Sequence, residues 1–237
     1  MRSKVTRDVA VALVELPQVQ TAVQLGASAG LVVDRDMQAI EAGLAEQGTP
    51  VACRKGCTFC CHYRISVVPI EAITVAQFVR ELFTEEARAS LRERVKGYNE
   101  TLASLPPEQR LTRPLPCPFL HESGDCMVYP VRPLSCRMHH SLDASACEKT
   151  LEDPDAPVPV PEDFRAAAAP VLSGLNRGAK MALKKAGDLE YIAAIEILLE
   201  EEDAAERWLA GEDSLGRAHD AEVRAVVEAK SEGRAGI

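Results

Sequence analysis

Cys53-Arg54-Lys55-Gly56-Cys57-Thr58-Phe59-Cys60-Cys61-His62 places four cysteines and a histidine within ten residues of a chain that otherwise reads as amphipathic helix. This stretch sets the organisation of the protein. Thiolate is the soft ligand that selects zinc, iron–sulfur clusters or copper(I). A site made from sequence-local ligands needs a tight turn to point several sulfurs inward, and Gly56 gives the backbone that freedom. Three residues separate Cys53 from Cys57, two separate Cys57 from Cys60, and Cys61 follows directly. Consecutive side chains point in different directions. Cys60 and Cys61 therefore either serve different metals or one of them is structural.

A second set of four cysteines, Cys117, Cys126, Cys136 and Cys147, lies downstream. They sit in the segments Cys117-Pro118-Phe119-Leu120, Gly124-Asp125-Cys126-Met127-Val128-Tyr129 and Arg132-Pro133-Leu134-Ser135-Cys136-Arg137, with Cys147 last. The order of these segments resembles the CxxCxxCC family of zinc- or iron-chelating proteins, also called YkgJ-like. The likeness lies in the leading cluster, a Cys-x-x-Leu segment, a Cys followed by a Tyr or Phe, and an Arg-Pro dipeptide before the next Cys. It covers about residues 53–147 and all eight cysteines. The resemblance implies a metal site holding zinc or an iron–sulfur cluster and leaves the activity open.

The expected metal ligands are Cys53, Cys57, Cys60, Cys61, Cys117, Cys126, Cys136 and Cys147, the two sets converging on one region. Four thiolates around a divalent ion leave a net negative charge. Arg54, Lys55, Arg132 and Arg137 are placed to offset it and to donate hydrogen bonds to sulfur, so Arg132 and Arg137 are candidate cofactor-binding residues. Pro130 and Pro133 stiffen the loop that presents Cys136. His62, His121, His139 and His140 lie close enough in sequence to ligate, with a polar loop role as the alternative for each. His219 reads as a surface residue on a late helix, and Tyr129 as a packing residue.

Composition bounds the remaining possibilities. The 237 residues suffice for one large domain or two small ones. With 46% hydrophobic residues but only 4% aromatics, the core must be built from Leu, Val, Ile and Ala, which favours helix. The net charge of −9 gives no general attraction to nucleic-acid phosphates. Arg88, Arg92, Arg94 and Lys96 alternate with Glu81, Glu85, Glu86 and Glu93, the pattern of a solvated helix face. No apolar run approaches the ~20 residues needed to cross a bilayer. Basic Met1-Arg2-Ser3-Lys4 leads into an apolar stretch from Val9 to Val14, but Glu15 and Pro17 cut it too short for a signal peptide. The expected location is cytoplasmic, where thiols stay reduced and eight cysteines are better read as metal ligands than as disulfides.

The expected fold is mainly α: a helical domain with a loop-rich, metal-stapled cysteine region. It divides into an N-terminal helical segment (1–50), a cysteine-cluster metal-binding domain (51–150) and a C-terminal helical segment (161–237). Val5, Val9, Leu13 and Leu16 predict a helix ended near Pro17. Asp34 or Asp36 is placed to cap a second helix bearing Met37, Ile40 and Leu44. Pro69 suits a first helical position. Thr84 is an N-cap for a helix burying Leu91, Val95, Tyr98 and Leu102. Prolines are dense from 106 to 161 and helical periodicity vanishes there. Pro161 opens a helix with Phe164, Ala168, Val171, Leu172 and Leu175, bent at Pro170. Gly187 and Asp188 mark a stop and a fresh cap, after which Leu189, Ile192, Ile195, Leu199 and Trp208 predict one long face. Glu200-Glu201-Glu202-Asp203 reads as exposed helix surface. A last, weaker helix includes Leu215, Val223 and Val227.

The leading functional reading is a metal-binding protein in which zinc or an iron–sulfur cluster staples the loop-rich middle. The alternative is an iron–sulfur enzyme or electron carrier; a flagellin lysine methylase carries a similar cysteine cluster, which implies protein modification by analogy. Cys53-x-x-x-Cys57-x-x-Cys60 has the spacing of radical S-adenosylmethionine enzymes, but the strand–helix alternation of their barrel is missing. Cys57-x-x-Cys60 also has the form of a thiol redox motif, without the strand-then-helix setting of a thioredoxin-like site. Whether the protein is an enzyme stays open at this level, as do its protein partners.

Overall fold

The computed structural model describes residues 2–219. Val223 and Val227 of the predicted last helix, and the tail from Ser231, lie outside the described residues. The fold is mainly α, as expected. In chain order the elements are α1 (Arg2–Glu15), α2 (Val19–Glu46), a 3₁₀ turn (Phe59–His62), β1 (Ser66–Val67), α3 (Pro69–Leu82), α4 (Glu85–Ser104) and α5 (Pro107–Arg110). There follow a second 3₁₀ turn (Tyr129–Val131), α6 (Leu134–Arg137), α7 (Ala144–Lys149), α8 (Glu162–Met181), β2 (Leu189–Glu190), α9 (Tyr191–Glu200), α10 (Ala204–Leu209) and a last 3₁₀ turn (Gly216–Ala218). β1 and β2 pair antiparallel, Ser66 opposite Glu190 and Val67 opposite Leu189. A strand–helix barrel has no counterpart among the described residues.

One hydrophobic core runs through both flanking helical segments. It joins Val9 and Leu13 of α1, Val33 and Met37 of α2, Ile70 and Ile73 of α3, Leu91 and Val95 of α4, Phe164 and Leu175 of α8, Ile195 and Leu198 of α9, and Trp208 of α10. α1 packs along α8, α2 lies against α3 and α8, and α9 is gripped between α3 and α4. Several sequence expectations hold at the level of single residues. Pro69 occupies the first turn of α3. The Thr84 side chain accepts a hydrogen bond from the N–H of Ala87 at 3.3 Å and so caps α4, whose buried residues are Leu91, Val95, Tyr98 and Leu102.

Four expectations are corrected. Asp34 and Asp36 cap nothing, because α2 already begins at Val19 and runs for 28 residues. No proline interrupts it, and two of its glycines mark close approaches: a Cβ on Gly26 would fall 2.1 Å from Oγ1 of Thr74, and one on Gly30 3.0 Å from the Arg137 guanidinium. The cap of α9 is Glu190, which accepts from the N–H of Ala193 at 2.6 Å, since Leu189 is drawn into the β-pair. The acidic run at 200–203 ends a helix instead of covering one. Glu201 closes α9, and its carboxylate is held by Arg207 and Arg217, so the expected long face is split into α9 and α10. His219 is half-buried and bridges to Leu189, not exposed on a helix.

The α1–α8 crossing depends on missing side chains. A Cβ on Gly178 would meet Cβ of Val9 at 2.5 Å and the carbonyl oxygen of Thr6 at 2.8 Å, whereas one on Gly43 of α2 would meet nothing within 4 Å. Gly178→Ala is therefore predicted to destabilise the protein by about 1–2 kcal/mol, the overpacking cost outweighing the gain in helix propensity. Gly43→Ala should stabilise by up to about 1 kcal/mol. Denaturant titration of both variants checks the pair, and stabilisation by both would contradict the helix packing.

Candidate metal centre

Past α2 the chain enters the first cysteine loop, fastened at its start by the N–H of Ala52 donating to the carbonyl of Ser141 at 2.8 Å. Gly56 adopts φ +81°, the left-handed conformation that a side chain disfavours, and the turn closes through Cys57 N–H to Arg54 C=O at 3.0 Å. Cys60, Cys61 and His62 fall in the 3₁₀ turn that follows. The thiol of Cys60 donates to Cys61. That bond, with burial, pushes the Cys60 thiol well above its ordinary range. The same bond lowers Cys61 to about 7 against the opposing effect of burial, with the Arg132 guanidinium assisting.

The second set reaches the first by backbone pairing. Cys117 N–H donates to the carbonyl of Cys61 at 2.8 Å, and Leu115 N–H to that of His62 at 2.8 Å. The chain then folds back as a hairpin, with Leu120 bridged to Cys126 and Met127 N–H donating to Phe119 C=O at 2.9 Å. Gly124 at its tip has φ +82° and lies against Thr58 and Gly56 of the first loop. The sulfurs of Cys117 and Cys126 each accept the backbone N–H two residues on, from Phe119 and Val128. These donors favour thiolate. Burial nevertheless wins at both, pushing Cys117 up to about 12 and raising Cys126.

Cys136 lies in the single-turn helix α6 and is raised well above its ordinary value by burial, then by Cys117, Cys126 and Cys61. The residue as a whole keeps exposed surface, while the protein around its thiol desolvates it. Cys147 is buried in α7, a helix capped by the Asp143 carboxylate through the N–H groups of Ser145 (2.8 Å) and Ala146 (3.2 Å). α7 packs on the turn that carries Cys60.

All eight cysteines are free thiols. Their mutual charge interactions sort them into two neighbourhoods. Cys61, Cys117, Cys126 and Cys136 all interact with one another. Cys53 interacts with Cys57 and Cys147, and Cys60 borders both groups, hydrogen-bonded to Cys61 and interacting with Cys136 ahead of Cys53. The Ser141 N–H donates to the Cys53 sulfur at 3.4 Å. Among the described residues, no three His, Cys, Asp or Glu side chains are gathered closely enough to hold one ion. The thiols are neighbours across turns, and their donor chemistry fits a thiophilic metal.

The cations and histidines separate into those near sulfur and those engaged elsewhere. Arg132 lies over the Tyr129 ring at 3.8 Å and 3.7 Å from Asp34, within charge range of Cys61 and Cys126. Arg137 is buried and gives its hydrogen bonds to Asp34 and to the carbonyls of Pro130 (2.7 Å) and Arg132 (2.8 Å), so it ties the loop rather than touching sulfur. Lys55 is exposed and 3.8 Å from Asp125. His62 donates through Nδ1 to Thr58 C=O at 3.1 Å, which leaves Nε2 as the acceptor nitrogen. His121 Nδ1 accepts from Ser123 N–H at 3.1 Å within the hairpin loop. His139 is exposed. His140 lies 3.3 Å from Glu41 and edge-on to Phe164 at 4.4 Å.

Residues 52–155 match the family model CxxCxxCC, described as "Putative zinc- or iron-chelating domain". Over that span the chain is similar to this domain family. The match begins one residue before Cys53 and ends eight after Cys147, so it encloses every cysteine of both neighbourhoods. No curated protein and no solved structure matches the chain. Among the described residues, no helix is long and apolar enough to cross a membrane.

Three residues that anchor the matched region carry no sequence signal of their own. Asp34 is the buried arginine's partner from mid-helix. Ser141 gives its N–H to Cys53 and its carbonyl to Ala52. Glu71 is buried in α3, accepting from Val68 N–H at 2.9 Å and from Leu134 N–H, at the head of the Cys136 turn, at 2.8 Å. Burial raises Glu71 from 4.5 to about 7 against those two donors. The folded protein thus holds a proton that the unfolded chain releases between about pH 4.5 and 7. Its stabilising contribution is complete below the lower value and is lost as pH rises through the upper one, by about 3 kcal/mol at most. Unfolding free energies from pH 5 to 8 should fall more steeply for the native sequence than for Glu71→Gln. Parallel profiles would contradict this.

Proposed function

We propose that this protein binds a thiophilic metal through two cysteine tetrads: Cys61, Cys117, Cys126 and Cys136 in one, and Cys53, Cys57, Cys60 and Cys147 in the other. The observation that carries the reading is the mutual interaction of Cys61, Cys117, Cys126 and Cys136, with Cys53, Cys57 and Cys147 as a second neighbourhood. Cys60 borders both and is assigned to the second because four cysteines already complete the first. The division answers the stereochemical objection that consecutive side chains cannot readily chelate one ion. Two further features support it. The N–H groups of Phe119, Val128 and Ser141 already point at Cys117, Cys126 and Cys53, and Arg132 faces the first tetrad with positive charge. Closing on an ion requires side-chain rotation within the loops and release of the thiol protons.

Zinc, held by four thiolates, supplies folding energy to a segment with little core of its own. An iron–sulfur cluster, with electron transfer or protein modification as its use, is the second reading. It is favoured by the Cys53-x-x-x-Cys57-x-x-Cys60 spacing. Free thiols throughout agree with a reducing, cytoplasmic setting. Metal and absorption analysis of anaerobically isolated protein should give zinc without colour or iron with visible bands that bleach on reduction. Cys57→Ser should remove metal from one tetrad and Cys117→Ser from the other, each lowering the content by about half for two independent sites. Absence of both metals, or unchanged content in both variants, would overturn the assignment.

A further inference from the structure

Tyr191 lies outside the CxxCxxCC match, yet its side chain is buried and packs on a residue within that match. Its ring stacks on Phe119 with centroids 5.7 Å apart and planes 27° from parallel. Phe119 is the residue whose N–H is given to the sulfur of Cys117. The backbone of Tyr191 is fixed by its N–H donating to Ile65 C=O at 3.2 Å, beside the β1–β2 pair. Ser135, next to Cys136, donates its hydroxyl to Ser66 C=O at 3.1 Å on that same pair. The backbone that holds Tyr191 is therefore the backbone that holds the Cys136 turn. The groups whose charges bear most strongly on its phenol are Cys117, Cys136 and Cys126, in that order, followed by Glu71.

The phenol oxygen is buried and has no hydrogen-bond partner among the described residues. A buried hydroxyl without a partner is a net cost, because its water is lost and nothing replaces it. Phenylalanine would keep the stack on Phe119 without that cost. Neutral thiols are poor acceptors, whereas the thiolates that metal binding requires are good ones.

We propose that Tyr191 is a positioning residue of the metal centre, its phenol O–H donating a hydrogen bond to a thiolate sulfur of the Cys61–Cys117–Cys126–Cys136 tetrad. This rests on the tetrad assignment above and adds to it a contributor from the C-terminal helices. The bond withdraws electron density from sulfur and steadies the thiolate. It also makes α9 a sensor of whether that tetrad is charged.

Cobalt(II) loaded into the full-length protein under anaerobic conditions tests both claims, since its sulfur-to-metal charge-transfer bands report the electron density on thiolate. Tyr191→Phe should keep the helical circular dichroism and hold or raise the thermal midpoint of the metal-free protein. It should move the charge-transfer bands to lower energy and weaken cobalt affinity about tenfold, the scale of losing an outer partner to a ligand. Bands and affinity identical to the native sequence would overturn the role of Tyr191 and leave the tetrads standing. A native protein that takes up no cobalt would overturn both. Should Tyr191→Phe fail to fold, ring-labelled tyrosine in the native protein gives a second reading. The Tyr191 resonance, assigned by elimination through Tyr63→Phe, Tyr98→Phe and Tyr129→Phe, should shift on cadmium binding, and an unmoved signal would refute the bond.

Discussion

Glu71 fastens the cysteine loops to the helices. One carboxylate oxygen closes the start of α3, and the other takes the N–H of Leu134, where the chain turns to present Cys136. Both donors are backbone groups that would otherwise be buried without a partner, so losing the carboxylate would loosen two elements at once. The same corner holds the Arg137–Asp34 pair, which ties the loop from Pro130 to Arg132 onto α2. Outside α3 and α4, the cysteine loops contribute few large apolar side chains to the core, chiefly Phe119, Val128 and Leu134. Polar anchors therefore do for these loops what packing does for the helices.

The thiols sit under an electrostatic constraint that follows from this arrangement. They are crowded and partly desolvated; Cys53, Cys60, Cys117, Cys126 and Cys136 are pushed toward the protonated form, whereas Cys61 is lowered. Crowded neutral thiols are tolerable, whereas crowded thiolates repel unless a cation is shared among them. Metal binding exchanges protons for a divalent charge and turns the repulsion into coordination. The backbone N–H groups aimed at Cys53, Cys117 and Cys126 are already in place for that exchange. This coupling links metal affinity to pH and to the integrity of the hairpin between Phe119 and Met127.

Much of this was legible in the sequence where the signal was local. Cysteine spacing, the Arg-Pro before Cys136, Pro69 and the Thr84 cap each express themselves within a few residues, and the structure agrees with the last two in detail. The cysteines' mere order in the chain could not say how they divide, because that depends on which backbone strands pair, Cys61 with Cys117 and Ala52 with Ser141. Asp34 looked like a cap because Asp often caps, and only the length of α2 reveals it as the partner of Arg137. Glu71 and Tyr191 are isolated residues in apolar helices, and their roles come from chain segments more than sixty residues away. The acidic run at 200–203 is exposed at Glu200, Glu202 and Asp203, as its charge suggested, but it closes a helix, and Glu201 within it is a hub for two arginines.

X-ray absorption fine structure at the edge of the bound metal, on anaerobically isolated full-length protein, tests the central claim most directly. Two thiolate tetrads predict a coordination shell of sulfur alone, about four atoms per metal, near the ~2.3 Å expected for zinc–thiolate bonds or their iron counterpart. A shell dominated by nitrogen or oxygen, or a protein with neither zinc nor iron, would contradict the account.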